Sequence, residues 1–251
     1  MNDLFENAID SIDFGIRLFL EDDESGSTQK HALLTVFHGV ELLLKARLYQ
    51  EHPLLIYKRP EARLDNDAFT VGLPETLARF RNCGIAITEA EGIVLEDLRR
   101  RRNRIAHHRY EKDEHDYQVL GKALNFVYGF LPQHMGKTLD EVLDDELYAK
   151  AREAILSYEE RLNEARAEVD LLTTPRRKDD LGNMPDSATC PDCDNETLVI
   201  GTELGDYCFF CRAEFTMEQC PSCSEYFPPD DFDGLAVCRG CFEYRVSSDR
   251  Y

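Results

Sequence analysis

The chain lacks any long apolar run and has little positive charge. Its 251 residues include 29 Lys and Arg against 49 Asp and Glu, a formal net charge of -20. No apolar stretch reaches the roughly 20 residues that a membrane-spanning helix needs. Acidic residues interrupt the N-terminal segment, where a secretory signal needs a basic start and an unbroken apolar stretch. We therefore expect a cytoplasmic protein with no membrane partner, whose overall field repels RNA unless a local patch attracts it.

Cysteine is nearly absent before residue 189, where Cys83 stands alone. We expect Cys83 to be a small buried apolar side chain without a chemical role. The other eight of the nine cysteines form CxxC pairs near the end of the chain. In a reducing compartment such pairs are typical of metal sites rather than disulfides.

The CxxC pairs repeat with a period of thirty residues, and fourteen residues separate the two pairs of each set. A tight turn at each pair and a hairpin between pairs can bring four thiolates around one zinc ion, with no position left for a catalytic water. We expect two structural zinc ions, one in each sequential set; iron and a cross-braced pairing are the alternatives. The modules resemble zinc ribbons. The predicted ligands are Cys190, Cys193, Cys208, Cys211, Cys220, Cys223, Cys238 and Cys241.

The cysteine-rich segment is strongly acidic. Residues 187–251 carry thirteen Asp and Glu against four Arg and no Lys, a balance of -9. This charge opposes binding to a phosphate backbone, so we expect the segment to dock a protein partner or regulator. Its short β-type runs predict a small β-rich double zinc-ribbon domain at 188–251 in which helix is not expected. The segment 173–187 has the composition of a linker.

Helical periodicity dominates residues 1–172 and predicts an all-α helical bundle. The second helix is apolar nearly all round, which indicates a central position. Thr88 is a candidate N-cap for the helix that follows it. The expected helices cover 3–20, 27–52, 74–81, 89–110, 115–135 and 145–172.

A basic run interrupts this acidic chain at the end of the fourth predicted helix. Residues 98–108 read LRRRRNRIAHH, with five arginines, one asparagine and two histidines. Charge alone is consistent with a solvated helix face that Glu91, Glu96 and Asp97 partly neutralise. Within the run, however, Arg102 and Asn103 precede His107 by five and four residues.

This order resembles the signature of HEPN domains, an arginine and a polar residue followed by a histidine four to six positions after the arginine. The upstream segment HGVELLLKA, residues 38–46, resembles the apolar second helix of that helical-bundle family. The resemblance covers residues 1–172. It implies catalytic roles for Arg102, Asn103 and His107, with His108 as the alternative histidine. It also implies RNA contacts for Arg99, Arg100, Arg101, Arg104 and Arg109.

The resemblance implies a metal-independent endoribonuclease of toxin or phage-defence type, whose products end in a 2′,3′-cyclic phosphate and a 5′-hydroxyl. A histidine can exchange the proton of the ribose 2′-hydroxyl, and an arginine can offset charge on the phosphate. The main alternative is a non-catalytic HEPN module that binds RNA or a nucleotide as an adaptor in a larger complex. A purely structural adaptor is the third hypothesis.

Helix geometry adds a condition to the catalytic hypothesis. Asn103 and His107 share a helix face, whereas Arg102 and His107 lie about 140° apart. Either the helix bends near Ala106, or a second subunit completes the cleft, as is usual in the family, so we expect a homodimer. One branch of the family places a tyrosine two residues after the histidine; Tyr110 lies three residues after His107 and two after His108, so the choice of histidine stays open.

Overall fold

The structure, a computed structural model, describes residues 3–21, 27–61, 68–107, 110, 116–174, 185–193, 195–202, 205–232 and 234–248. Contacts divide the chain into two units, Met1–Tyr158 and Glu159–Tyr251. The division falls within helix α7, Asp145–Thr173, so the C-terminal half of α7 belongs to the second unit. Most of the linker predicted at 173–187 lies outside the described residues.

The first unit consists of helices, which confirms the predicted all-α class for this part of the chain. A 3₁₀ turn at Pro53–Ile56 and a π-helical turn at Leu131–Met135 supplement them. Residues 108 and 109, and residues 111–115 before α5, lie outside the described residues. The helices of the first unit are α1 Asp3–Leu20, α2 Ser27–Glu51, α3 Leu73–Asn82, α4 Glu89–His107, α5 Asp116–Phe130, α6 Leu139–Val142 and the N-terminal half of α7.

Helix α2 lies at the centre of the first unit, as its nearly uniform apolar surface predicts. It packs against α1, α3, α4 and α5. Gly39 allows α1 to come close, because a Cβ on Gly39 would lie 2.6 Å from Cγ1 of Ile12 and 2.9 Å from the carbonyl oxygen of Ala8. The lack of a Cβ at Gly39 therefore allows the close approach of α1 and α2. Helix α2 also packs against one face of α4.

Gly121 likewise allows α5 and α7 to come close to each other. A Cβ there would overlap the carbonyl oxygen of Ala154 and lie 2.8 Å from Cβ of Tyr158. We expect Gly121→Ala to lower the free energy of unfolding by about 1–3 kcal/mol through overpacking. Gly129 lies eight positions along the same helix and is exposed, and a Cβ added to it would have no atom within 4 Å.

Gly129→Ala is therefore the matched control, and its higher helix propensity is expected to stabilise the protein by up to about 1 kcal/mol. Urea unfolding followed by circular dichroism measures both variants. Equal effects of the two substitutions would contradict the close α5–α7 packing.

The second unit combines the C-terminal half of α7 with small antiparallel sheets. Strands β1 Asp186–Ala188, β2 Leu198–Thr202, β3 Gly205–Cys208 and β4 Glu214–Phe215 form a sheet in the order β1-β2-β3-β4. Strands β5 Glu218–Gln219 and β6 Tyr226–Phe227 form a separate hairpin. These strands confirm the β-rich character predicted for this segment.

A helix, α8 at Arg239–Ser248, corrects the prediction that the cysteine-rich segment contains none. The second module is therefore a β-hairpin followed by a helix, rather than a second ribbon of strands. The CxxC spacing does not discriminate between these structures, since residues three apart meet both in a tight turn and on one face of a helix. The amide of Phe242 donates to the carbonyl of Cys238 at 3.0 Å, which joins the last CxxC pair to the start of α8.

Candidate functional site

A capping box fixes the start of α4, the helix that carries the basic run. The Thr88 amide donates to Oε2 of Glu91 at 2.8 Å, and the Glu91 amide donates to Oγ1 of Thr88 at 3.2 Å. Leu95, Leu98 and Ile105 are buried along one face, which fixes the rotation of the helix. The capping role predicted for Thr88 is confirmed.

The helix continues through Ala106 and ends at His107. The helix is therefore not broken at Ala106, where a bend is one of the two expected ways to bring Arg102 and His107 together. Arg102 is exposed, and its Nη1 donates to Oδ1 of Asn103 at 3.3 Å. Asn103 is half-buried, and His107 is exposed at the C-terminal end of α4. The structure thus joins Arg102 to Asn103 and places His107 more than one turn further along; His108 lies outside the described residues.

Carboxylates hold the arginines that precede Arg102. Arg99 donates through Nε and Nη2 to Glu96 at 2.8 and 2.6 Å, and Arg100 contacts the same carboxylate at 3.3 Å. The bond from Arg99 is the largest cause of the lowered pKa of Glu96. Arg99 is half-buried and Arg100 is exposed. Both are predicted to contact RNA, and the carboxylate of Glu96 partly offsets their positive charge.

Arg101 has a more buried partner in Asp116, the first residue of α5. Its Nη2 lies 3.2 Å from Oδ1 of Asp116, whose side chain is only 3% exposed. The hydroxyl of Tyr110 donates to the other oxygen of the same carboxylate. Arg101 therefore links α4 to α5 and to Tyr110. Arg104 is exposed, and Arg109 lies outside the described residues.

Helix α2 places two charged residues close to Arg102. A cavity of about 20 Å³, enough for one water molecule, is lined by Glu41, Arg99 and Arg102 among apolar side chains. Lys45, one turn after Glu41, donates from Nζ to Oγ1 of Thr70 at 3.2 Å. Burial is the main cause of its lowered pKa; Glu41 acts in the opposite direction, and Arg102 lowers the pKa further.

The spacing of Glu41 and Lys45 suits a helical ion pair with a structural role, and a charged pair on an apolar helix can instead meet the arginines of the next helix. Their proximity to Arg102 follows from the packing of α2 on α4, which local spacing does not encode. The same is true of a buried ion pair between α4 and α5, in which Nζ of Lys122 lies 2.5 Å from Oδ2 of Asp97. Ion pairs therefore hold α4 to α5, whereas packing holds it to α2.

The two cysteine sets form two separate four-sulfur groups. In each group the four Sγ atoms lie within 4.8 Å of one another. The shorter separations are 3.5 Å for Cys190 and Cys211, 3.7 Å for Cys193 and Cys208, and 3.9 Å for Cys223 and Cys238. Disulfide sulfurs would lie about 2.05 Å apart. A tetrahedral zinc site with bonds of about 2.3 Å places its sulfurs about 3.8 Å apart, so the geometry fits.

The pairing is sequential, because Cys190, Cys193, Cys208 and Cys211 form one group and Cys220, Cys223, Cys238 and Cys241 form the other. The cross-braced alternative is therefore wrong for this structure. We call these groups the first and second metal sites. Both can hold a metal ion, and the match to zinc geometry is consistent with two zinc ions. All four positions of each site are sulfurs, so a tetrahedral ion bound there would have no open position for a water molecule.

Backbone hydrogen bonds shape the cysteine turns. The turns that follow Cys208 and Cys220 are alike. The Arg212 amide donates to the Cys208 carbonyl and the Ser224 amide donates to the Cys220 carbonyl, each at 2.8 Å. Arg212 and Ser224 adopt left-handed φ values of 59° and 63°. The turns point backbone amides at sulfur, as in the 3.3 Å contact from the Cys238 amide to Sγ of Cys220.

Burial raises the pKa of Cys220, but backbone donors from Cys238, Cys223 and Ser222 outweigh it and lower the pKa to about 6. A thiol with this pKa is largely ionised at neutral pH, the form that binds a metal.

The two metal sites differ in exposure. Cys190 and Cys208 of the first site are buried, whereas Cys223 of the second site is exposed. Cys83 is also exposed, which corrects the expectation that it is a buried apolar side chain. It follows α3 directly, where its amide caps the helix by donating to carbonyls of the last turn.

Among the helices that the structure describes, none combines the length and the apolar character needed to cross a membrane. No family model matches the chain, and neither a curated protein nor a solved structure gives a match.

Proposed function

We propose that this chain is an endoribonuclease of the HEPN type, of the toxin or phage-defence class. The observation that carries the proposal is the pairing of exposed Arg102 with Asn103 on α4, which ends at exposed His107. Capping and packing on α2 and α5 fix the helix backbone, and with it the positions from which its polar side chains extend. Such preorganisation favours catalysis over general affinity for RNA.

Each of the three residues has a role in cleavage. His107 exchanges the proton of the ribose 2′-hydroxyl as that oxygen attacks the adjacent phosphorus. Arg102 offers planar donors to the phosphate oxygens, and Asn103 orients the arginine through the 3.3 Å bond. The 5′-oxygen leaves with the proton that His107 has taken up, and the products carry a 2′,3′-cyclic phosphate and a 5′-hydroxyl. Protein side chains supply all the groups that this reaction requires.

A homodimer resolves the separation of Arg102 and His107 on α4. The two side chains lie about 140° apart around one helix. One substrate phosphate therefore cannot contact both side chains of the same helix directly. Two α4 helices related by a two-fold axis can face each other and bring Arg102 of one subunit towards His107 of the other. Dimer formation is then a condition for activity.

In this proposal the cysteine-rich segment binds two structural zinc ions and a protein partner or regulator. Its acidic balance of -9 disfavours direct contact with RNA. The thiol-rich sites suit a reducing compartment, which is consistent with action in the cytoplasm.

Cell growth tests the proposal directly. Expression of the wild-type chain is expected to slow growth and fragment cellular RNA, and Arg102→Ala is expected to relieve both effects. Arg81→Ala removes an exposed arginine from α3 and serves as the matched control, which should remain toxic. Equal toxicity of the wild-type and Arg102→Ala chains at equal protein levels would remove Arg102 from the activity.

The ion pairs around Glu96 and Asp116 favour a second candidate, a non-catalytic HEPN module that binds RNA or a nucleotide as an adaptor. They hold Arg99, Arg100 and Arg101 against carboxylates, so these arginines are less available to stabilise the charge that develops on a phosphate during cleavage. An adaptor would leave cellular RNA intact whatever stands at position 102.

A further inference from the structure

One side chain connects the C-terminal half of α7 to the first metal site. Arg161 donates from Nε to the carbonyl oxygen of Phe210 at 3.2 Å and from Nη2 to that of Phe209. Phe209 and Phe210 are the two residues between the ligands Cys208 and Cys211. The guanidinium thus holds the middle of the turn that presents both sulfurs, and its side chain is only 19% exposed.

The chemistry of this contact favours a loaded metal site. Four thiolates around one divalent ion retain a net negative charge, which a nearby half-buried cation stabilises. A guanidinium that donates to two carbonyls also polarises those peptide groups and fixes the turn. Groups that orient metal ligands in this way contribute substantially to metal affinity.

The helix also needs the contact. In the part of α7 from residue 159 onward, the buried side chains of the described residues are Ala165 and Val169, both small, whereas Leu171 is 61% exposed. A helical segment of about 15 residues is marginally stable without tertiary packing. Two charge-assisted bonds from Arg161 therefore add to the few buried contacts that hold this segment in place.

We propose that Arg161 is a positioning residue that couples metal binding at the first site to the helical order of the C-terminal half of α7. Metal in the first site fixes the Cys208–Cys211 turn, the turn holds Arg161, and Arg161 anchors the helix. The second metal site has no part in this coupling. The inference rests on zinc binding and not on ribonuclease activity, so either can fail without the other.

The test uses full-length chains that keep one metal site each. Cys220→Ser/Cys241→Ser leaves the first site, and Cys190→Ser/Cys211→Ser leaves the second. Zinc release to a chromogenic chelator is measured in both backgrounds, with and without Arg161→Ala. The substitution is expected to speed release from the first site by about tenfold or more and to leave release from the second site unchanged. Arg166→Ala, an exposed arginine on the same helix, is the control and should change neither rate.

Hydrogen exchange gives the second readout. Amides of residues 159–173 should lose protection when the first site is disrupted or Arg161 is replaced, and should keep it when the second site is disrupted. Arg161→Gln, which keeps a neutral donor, should lie between wild type and Arg161→Ala in both measurements, and serves if the alanine variant does not fold. An unchanged release rate from the first site, or protection that follows the second site instead, would overturn the proposal.

Discussion

His107→Ala is expected to slow RNA cleavage by a factor of about 10²–10⁴, the usual contribution of a positioned general acid or base. Arg102→Ala should cost about 10²–10³, because it removes donors aimed at the charge that develops on the phosphate. Arg102→Lys should recover little, since lysine keeps the charge but loses the planar pair of donors. Initial rates on a fluorescent single-stranded RNA measure all of these effects.

His31→Ala and Arg81→Ala are the matched controls for these variants. Both remove an exposed side chain of the same type from the helical unit, on α2 and α3 respectively. We expect each to cleave RNA at the wild-type rate. Circular dichroism and size-exclusion chromatography establish that every variant keeps its fold and its oligomeric state. Equal rates for wild type and His107→Ala would exclude His107 from the mechanism.

Mixing the two inactive variants tests whether the cleft is shared between subunits. If Arg102 of one subunit works with His107 of the other, a mixed dimer contains one intact cleft and one that lacks both residues. Activity should then return after Arg102→Ala and His107→Ala proteins are mixed and allowed to exchange subunits. A mixture that stays inactive, although subunit exchange is demonstrated, would place both residues in one subunit's own site.

We expect pairs of cysteine substitutions to show which cysteines share a metal ion. In the sequential arrangement, Cys190→Ser/Cys211→Ser affects one site and leaves one zinc ion per chain. Cys190→Ser/Cys220→Ser affects both sites and leaves none. A cross-braced arrangement would reverse these two results, because Cys190 and Cys220 would then share an ion. Elemental analysis of desalted protein measures the outcome.

The structural effect of losing both ions should also be large. Structural zinc contributes folding free energy of about 10–16 kcal/mol in small modules. We therefore expect the Cys190→Ser/Cys220→Ser chain to lose the protection of β2 and β3, while the helices of the first unit keep theirs. One ion in both variants, or protection that does not depend on zinc, would contradict the assignment of the cysteine groups as structural zinc sites.

Local signals in the sequence predict the helical unit well. The capping pair of Thr88 and Glu91 and the apolar periodicity of α1 and α2 depend on neighbours within one or two turns. The thirty-residue repeat likewise predicts the membership of both cysteine groups. The sequence does not predict helix α8, because two cysteines three residues apart can lie close together in a turn or in a helix. The CxxC spacing therefore does not distinguish the two structures.

Contacts between distant residues are the part that the sequence does not predict. The family resemblance implies that Arg101 contacts RNA, but Arg101 pairs with Asp116, fifteen positions away. Arg161 lies forty-eight positions before Phe209, and nothing in the helical pattern of α7 marks it out. Both contacts depend on how the elements pack. The arginine run is therefore not uniform: some members support the fold, and Arg102 is left exposed beside Asn103.

The chemistry of the RNA ends is the most direct test of the central claim that Arg102, Asn103 and His107 cut RNA without a catalytic metal. Purified protein is incubated briefly with RNA in EDTA, and its zinc content is measured afterwards to show that the structural sites stay loaded. We predict products with 2′,3′-cyclic phosphate and 5′-hydroxyl ends, no cutting where a single 2′-deoxy nucleotide replaces the cleavage site, and a rate from His107→Ala that is lower by a factor of about 10²–10⁴. Ends with a 3′-hydroxyl and a 5′-phosphate, or the absence of cleavage by the wild-type protein, would contradict this claim.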